Sequence, residues 1–156
     1  MFGGAELAID ETFAAAQRHE LDATSWLEFV PGWLRGSEAL IERVVAGTHF
    51  DQRKRWMFTR YVEEPRLTGE CHDIAAHGEP FLATIANALS NRYGVPYDSI
   101  WMNLYRDERD GTGWHGDPSL QRGTAIVPVV SLGATRRFLL RRRTGGRSMQ
   151  MQDPGH

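Results

Sequence analysis

Apolar positions along this chain follow two spacings, and the change falls near residue 94. Before it, helical spacing dominates. Glu6 to Glu20 reads as a short helix. Ser37 suits an N-cap, and Leu40, Ile41, Val44 and Val45 carry a helical stripe as far as Gly47. Pro80 fits the first turn of another helix with Phe81, Ile85, Ala88 and Leu89 on one side, and Gly94 is placed to end it. Ser25 to Val30 reads as a strand closed by Pro31 and Gly32, and Trp56 to Val62 alternates loosely as a strand. After Gly94 the pattern is strand-like: Ile100 to Arg106, the Val-rich run Ile126 to Leu132, Arg137 to Arg141, and Ser148 to Gln152. Turn signals separate them at Asp110–Gly111, Gly133–Ala134 and Gly145–Gly146. Helices early and antiparallel strands late predict an α+β domain whose N-terminal helices pack on one face of a sheet.

Length and composition narrow the class. A chain of 156 residues, 41% hydrophobic, suits a single domain over 1–156 with a real core. No apolar run reaches bilayer-spanning length, and the N-terminus has no basic stretch followed by an apolar one. A lone Cys71 excludes an internal disulfide and suits a reducing compartment. The expectation is a soluble, cytoplasmic monomer. Net charge is only −2, but it is unevenly spread. Residues 1–30 carry six acids and one Arg, while residues 136–147 carry six Arg. Arg presents a planar fork that fits phosphate, so this segment is a candidate for phosphate contact as well as an ordinary solvated edge.

The chemistry concentrates at residues 103–117. His115-x-Asp117 is half of a two-His-one-carboxylate site, which holds iron(II) on one face and leaves positions open for cosubstrate and oxygen. Asn103 and Tyr105 lie two apart on the preceding strand and so share a face, beside Trp101. An amide and a phenol placed together can hold a small carboxylate, or can simply be two satisfied polar side chains. A second pair, His49-x-Asp51, follows the first helix and reads as a surface segment. A double-sheet jelly roll is the architecture that accommodates an HxD site of this kind best.

The ordered set Asn103-Leu-Tyr105, Trp114-His115-x-Asp117, Val130-Ser-Leu-Gly133, Arg137-Phe138 and Leu140-Arg141 resembles the AlkB family, and Pro65-Arg-Leu-Thr68 is similar to another stretch of it. The resemblance runs from about residue 25 to the end and is most specific over 99–143. It implies a mainly antiparallel double-stranded β-helix, and Fe(II), 2-oxoglutarate and O2 as cofactors. By resemblance His115 and Asp117 are two of three iron ligands. Asn103 and Tyr105 hydrogen-bond 2-oxoglutarate. Val130 to Leu132 form a core strand behind the metal, and Trp114 is core. The implied reaction is oxidative removal of alkyl groups from bases of single- or double-stranded nucleic acid, releasing formaldehyde. A base must leave its stack to be reached. Arg53, Arg55, Trp56, Phe58, Tyr61 and Arg66 are the candidates for gripping the strand.

Three departures qualify that expectation. The family's distal iron-binding His, and its Arg pair for the far carboxylate of 2-oxoglutarate, are expected beyond the Arg-rich strand. Within the sequence only the terminal His156 stands in that direction, so the C-terminal strands are expected to be missing and turnover to be weak or nil. Pro118 and Ser119 follow Asp117 where repair members often carry another acid. Two other readings remain open: a 2-oxoglutarate hydroxylase acting on a protein or small molecule, and a catalytically dead module that binds nucleic acid or a partner through Arg. Steep salt dependence separates the first alternative from a nucleic-acid enzyme, and indifference to His115→Ala marks the second.

Overall fold

In the computed structural model residues 6–57, 59–117 and 125–151 are described. They fall into two compact units, Met1–Glu42 with Val130–His156, and Arg43–Val129.

The first unit opens with strands where a helix over Glu6 to Glu20 is expected. β1 (Ala8–Ile9) pairs antiparallel with β4 (Leu34–Arg35), and β2 (Gln17–Glu20) with β3 (Trp26–Phe29). Asp10 decides the difference. Its carboxylate accepts the backbone N–H of Thr12 at 3.0 Å and of Ala14 at 2.8 Å, which gives the backbone a turn in place of a helix. The Thr12 hydroxyl and then the Ala14 N–H hold the Asp10 carboxyl below its ordinary range. Phe13 follows at φ 53°, buried and stacked on Trp33 with ring centroids 5.4 Å apart. Four strands among the described residues therefore precede the first helix, α1 (Ser37–Gly47), and of the three helices expected before Gly94 the one over Glu6 to Glu20 is absent. Of the predicted stripe of α1, Leu40 is fully buried, Val44 nearly so and Ile41 half-buried, while Val45 faces solvent. The Ser37 hydroxyl accepts the N–H of Gly133 at 3.4 Å. Gly133 sits at φ 74°, and a Cβ there would come within 3.2 Å of Ile41 Cδ1. The unit ends in a hairpin of β9 (Phe138–Leu140) and β10 (Met149–Met151), with Phe138 opposite Met151. The connecting loop carries positive φ at Gly145 and Gly146. The predicted strand over Ser148 to Gln152 is thus present up to Met151, and Gln152 lies outside the described residues.

The second unit holds β5 (Lys54–Met57) to β8 (Ile100–Leu104), a single 3-10 turn at Ile74–Ala76, and α2 (Phe81–Tyr93). Trp56 to Val62, read as one strand, is a hairpin in which β5 pairs with β6 (Arg60–Glu63). β7 (Leu67–Cys71) pairs antiparallel with β8, setting Thr68 opposite Asn103 and Glu70 opposite Trp101. Gly69, opposite Met102, admits no side chain, since a Cβ would lie 2.7 Å from Thr48 Cγ2 and 3.0 Å from the His49 carbonyl oxygen. α2 ends as predicted at Gly94 in the left-handed conformation, φ 67°, its N–H bonded to Ser90 O. Its buried stripe is Leu82, Ile85, Ala86 and Leu89. Phe81 and Ala88 lie at the margin. Glu79 stands before the helix, buried, accepting the Phe81 N–H at 3.0 Å and paired with Arg43 at 2.5 Å. The Val-rich run Ile126 to Leu132 forms no strand. It is extended, with exposure alternating and Val127 and Val129 facing solvent, but among the described residues no ladder partner lies beside it. Strand composition makes a strand only where a second backbone supplies the hydrogen bonds. The described residues are therefore mixed helix and antiparallel strand, an α+β arrangement. No helix among them is long and apolar enough to cross a membrane.

Two predictions follow from this packing. Gly69→Ala should cost about 1–3 kcal/mol in urea unfolding, because the Thr48 methyl and the His49 backbone must both move. Burial works to raise the Glu79 carboxyl, but Arg43, the Phe81 N–H and His77 outweigh it and hold it below its ordinary 4.5. A carboxylate lowered by folding stabilises fully above its unfolded value, and that stability is lost as pH falls through the folded one. The unfolding midpoint should therefore fall from about pH 5 towards about pH 3, more steeply than in Glu79→Gln measured alongside.

Candidate functional site

β8 alternates as its sequence requires. Ile100, Met102 and Leu104 are half-buried on one face, while Trp101 and Asn103 stand exposed on the other. Trp101 Nε1 donates to Asn103 Oδ1 at 3.2 Å. Trp101 is 50% exposed, and the Arg53 guanidinium lies over its ring, 4.3 Å from the centroid. Arg53 also pairs with Glu70, which faces Trp101 across the β7–β8 ladder. The face bearing Asn103 is thus open, and it joins three of the residues that the sequence singles out: Arg53, Trp101 and Asn103.

Tyr105 continues β8 into the segment that carries the HxD pair. That segment has no helix or strand of its own and is held by side chains. Asp110, buried, accepts the Arg106 backbone N–H at 2.9 Å and, from one edge of the Arg106 guanidinium, Nε and Nη2 at 2.8 and 2.9 Å. Gly111 N–H donates to the Pro65 carbonyl at 2.8 Å. Thr112 Oγ1 lies 2.9 Å from the Tyr105 hydroxyl and accepts from the Arg66 guanidinium. Arg66 is only 13% exposed and also grips Glu64 at 3.1 Å, so its charge faces inward.

At the end of this segment His115 Nδ1 lies 2.8 Å from the Gly113 carbonyl oxygen. A carbonyl can only accept, so Nδ1 carries the proton and Nε2 is the remaining donor atom. That nitrogen stands 3.3 Å from Asp117 Oδ1. An imidazole lone pair facing a carboxylate calls for a cation between them, either a proton or a metal. With metal–ligand bonds of about 2.1 Å, donors about 3 Å apart take adjacent positions around one ion. The pair is about half exposed, at 56% and 46%, so water and ligands reach it. A nitrogen and a carboxylate oxygen suit iron(II) as two of three ligands. Among the described residues no group of three His, Cys, Asp or Glu could hold a metal. His156, the terminal candidate, lies outside them, as do Pro118, Ser119 and Phe58. Trp114, expected in the core, is exposed on the loop.

The second pair behaves as the sequence predicts. His49 Nε2 and Asp51 Oδ1 are 3.1 Å apart on the surface, with His49 85% exposed.

The β5–β6 hairpin sets Trp56 directly opposite Tyr61, edge to face with centroids 4.9 Å apart. Both are open to solvent, at 59% and 69%. Lys54, Arg55 and Arg60 share the hairpin. On the β9–β10 hairpin, Arg136, Arg137, Arg141, Arg142, Arg143 and Arg147 are all exposed, and no acid occurs between Asp117 and Asp153.

The human protein named alpha-ketoglutarate-dependent dioxygenase alkB homolog 3 is 30% identical over 128 residues, covering 72% of this chain and 44% of the relative. The chain belongs to the AlkB family. The mouse and bovine proteins of the same name are 32% and 29% identical over 127 and 128 residues, with the same coverage of 72% and 44%. The chain thus spans less than half the length of these curated relatives. No protein-family model and no solved structure matches it.

Sequence reasoning did not find Arg106, Asp110 and Thr112. The i, i+4 spacing of Arg106 and Asp110 was a readable signal. Thr112 carried none, because its partners lie on either side of a turn. Titrating Mn(II) with water-proton relaxation as the readout should show binding that falls at least about tenfold in His115→Ala and in Asp117→Asn, and is unchanged in His49→Ala.

Proposed function

We propose that this chain carries the catalytic face of an Fe(II)- and 2-oxoglutarate-dependent dioxygenase that removes alkyl groups from nucleic-acid bases, on a double-stranded β-helix core. The observation that carries the reading is the His115–Asp117 pair, with Nδ1 committed to Gly113 O and Nε2 turned to the carboxylate. His115 and Asp117 hold the iron, which when bound supplies the chemistry that couples decarboxylation of 2-oxoglutarate to oxidation of the alkyl carbon. The Asn103 amide and the Tyr105 hydroxyl donate to the 2-oxoglutarate carboxylate. Exposure of the pair lets the cosubstrate enter.

The surface supports nucleic acid as the partner. Trp56 and Tyr61 offer aromatic faces on a hairpin that also carries Lys54, Arg55 and Arg60, the combination that stacks bases while tracking a backbone. Arg53, already stacked on Trp101, adds a cation beside Asn103. The acid-free arginine hairpin gives a second run of phosphate contacts. Arg66 serves the loop, not the strand.

Binding of a methylated single-stranded oligonucleotide is the test. Affinity should fall linearly with log salt, with a slope of about −0.7 for each phosphate neutralised. Trp56→Ala should weaken it by about 1–3 kcal/mol, and formaldehyde release, where detected, should vanish in His115→Ala. Affinity indifferent to salt would overturn the nucleic-acid assignment in favour of a protein or small-molecule substrate.

A further inference from the structure

Arg66 and Tyr105 are separated along the chain and joined by one atom, the Thr112 hydroxyl oxygen. A guanidinium only donates, so one lone pair of Thr112 Oγ1 is spent on Arg66. The hydroxyl retains one proton and one lone pair, and its other neighbour is the Tyr105 oxygen at 2.9 Å. Two arrangements are open. Tyr105 can give its proton to Thr112, or Thr112 can give its proton to Tyr105. A cation pulling on the Thr112 oxygen weakens it as an acceptor and strengthens it as a donor. That favours the second arrangement, in which the Tyr105 proton is directed to an acceptor other than Thr112. Arg66 is itself held from behind, its Nε and Nη2 at 3.2 and 3.1 Å from Glu64 Oε2, with both side chains largely buried. The same contact ties the loop bearing His115 to the segment entering β7, next to the Gly111–Pro65 hydrogen bond.

We propose that Arg66 and Thr112 are positioning residues, a polarised chain Arg66 to Thr112 to Tyr105 that fixes the Tyr105 hydroxyl as a donor to the carboxylate of 2-oxoglutarate. The inference rests on the reading of Asn103 and Tyr105 as contacts to that cosubstrate. It explains why an arginine next to the strand-gripping hairpin points away from solvent, and why a threonine sits on an otherwise featureless turn.

Thr112 is exposed, so Thr112→Val removes the relay without disturbing a core, and Thr112→Ser keeps it. The first readout needs no ligand. Amide hydrogen exchange over residues 111–115 should quicken several-fold in Thr112→Val and return to the wild-type rate in Thr112→Ser. An unchanged rate overturns the relay. The second readout titrates 2-oxoglutarate calorimetrically into the Mn(II)-loaded chain. Thr112→Val should bind it about 5- to 10-fold more weakly, with Mn(II) affinity unchanged and Thr112→Ser restored. A merely structural residue would lower both affinities together, and that result, or equal 2-oxoglutarate affinity, overturns the proposal. A wild-type chain that takes up Mn(II) but no 2-oxoglutarate overturns the cosubstrate reading itself, and hydrogen exchange then decides whether Arg66 and Thr112 hold the loop.

Discussion

From the end of β8 to His115 the backbone crosses open ground, and the buried carboxylate of Asp110 fixes its course. One carboxylate satisfies the Arg106 backbone N–H and, from one edge of the Arg106 guanidinium, Nε and Nη2. Charge-assisted bonds of this kind are shorter and stronger than neutral ones, and burial removes the water that would compete for them. Removing Arg106 would strip these bonds from a buried carboxylate, the costly way to break such a pair, whereas the Arg106 side chain, 43% exposed, keeps access to water. The Gly111–Pro65 bond and the Thr112 hub act on a loop that this clasp has already folded.

The parts of this arrangement legible in the sequence are those carried by local physics. α2 was readable from end to end because Pro80 and Gly94 act through their own backbone preferences and the stripe between them repeats with the helix. The alternation of β8, and hence the shared face of Trp101 and Asn103, was readable for the same reason. The parts that were not legible depend on partners distant in sequence. Glu6 to Glu20 has helical spacing, yet one Asp side chain satisfying two backbone N–H groups redirects it into a turn. Ile126 to Leu132 has the composition of a buried strand, and among the described residues no strand pairs with it. Arg66 has the residue type and the neighbourhood of a phosphate contact, and only the fold reveals that Glu64 and Thr112 claim it. The HxD pair itself was visible. The tautomer that turns its Nε2 toward Asp117 was not, because that rests on the Gly113 carbonyl.

Charge is distributed with a purpose that net charge conceals. The near-neutral total arises because acids are concentrated in the first thirty residues and arginines in 136–147. Within the second unit most cations near the site already have an acid partner: Arg53 with Glu70, Arg55 and Arg66 with Glu64, Lys54 with Glu63. The arginine hairpin has no acid of its own. The two regions therefore differ in the acids near them in sequence: several beside the cations of the second unit, none within residues 118–152.

That contrast gives the Arg53–Glu70 pair a meaning beyond stability. Glu70 occupies the guanidinium while Arg53 covers the Trp101 ring. Under the proposed function, an incoming phosphate would take Arg53 only by displacing a carboxylate that belongs to the protein. Glu70 would then act as an internal competitor, a threshold that weakly charged or poorly placed ligands do not cross before the aromatic face beneath is uncovered.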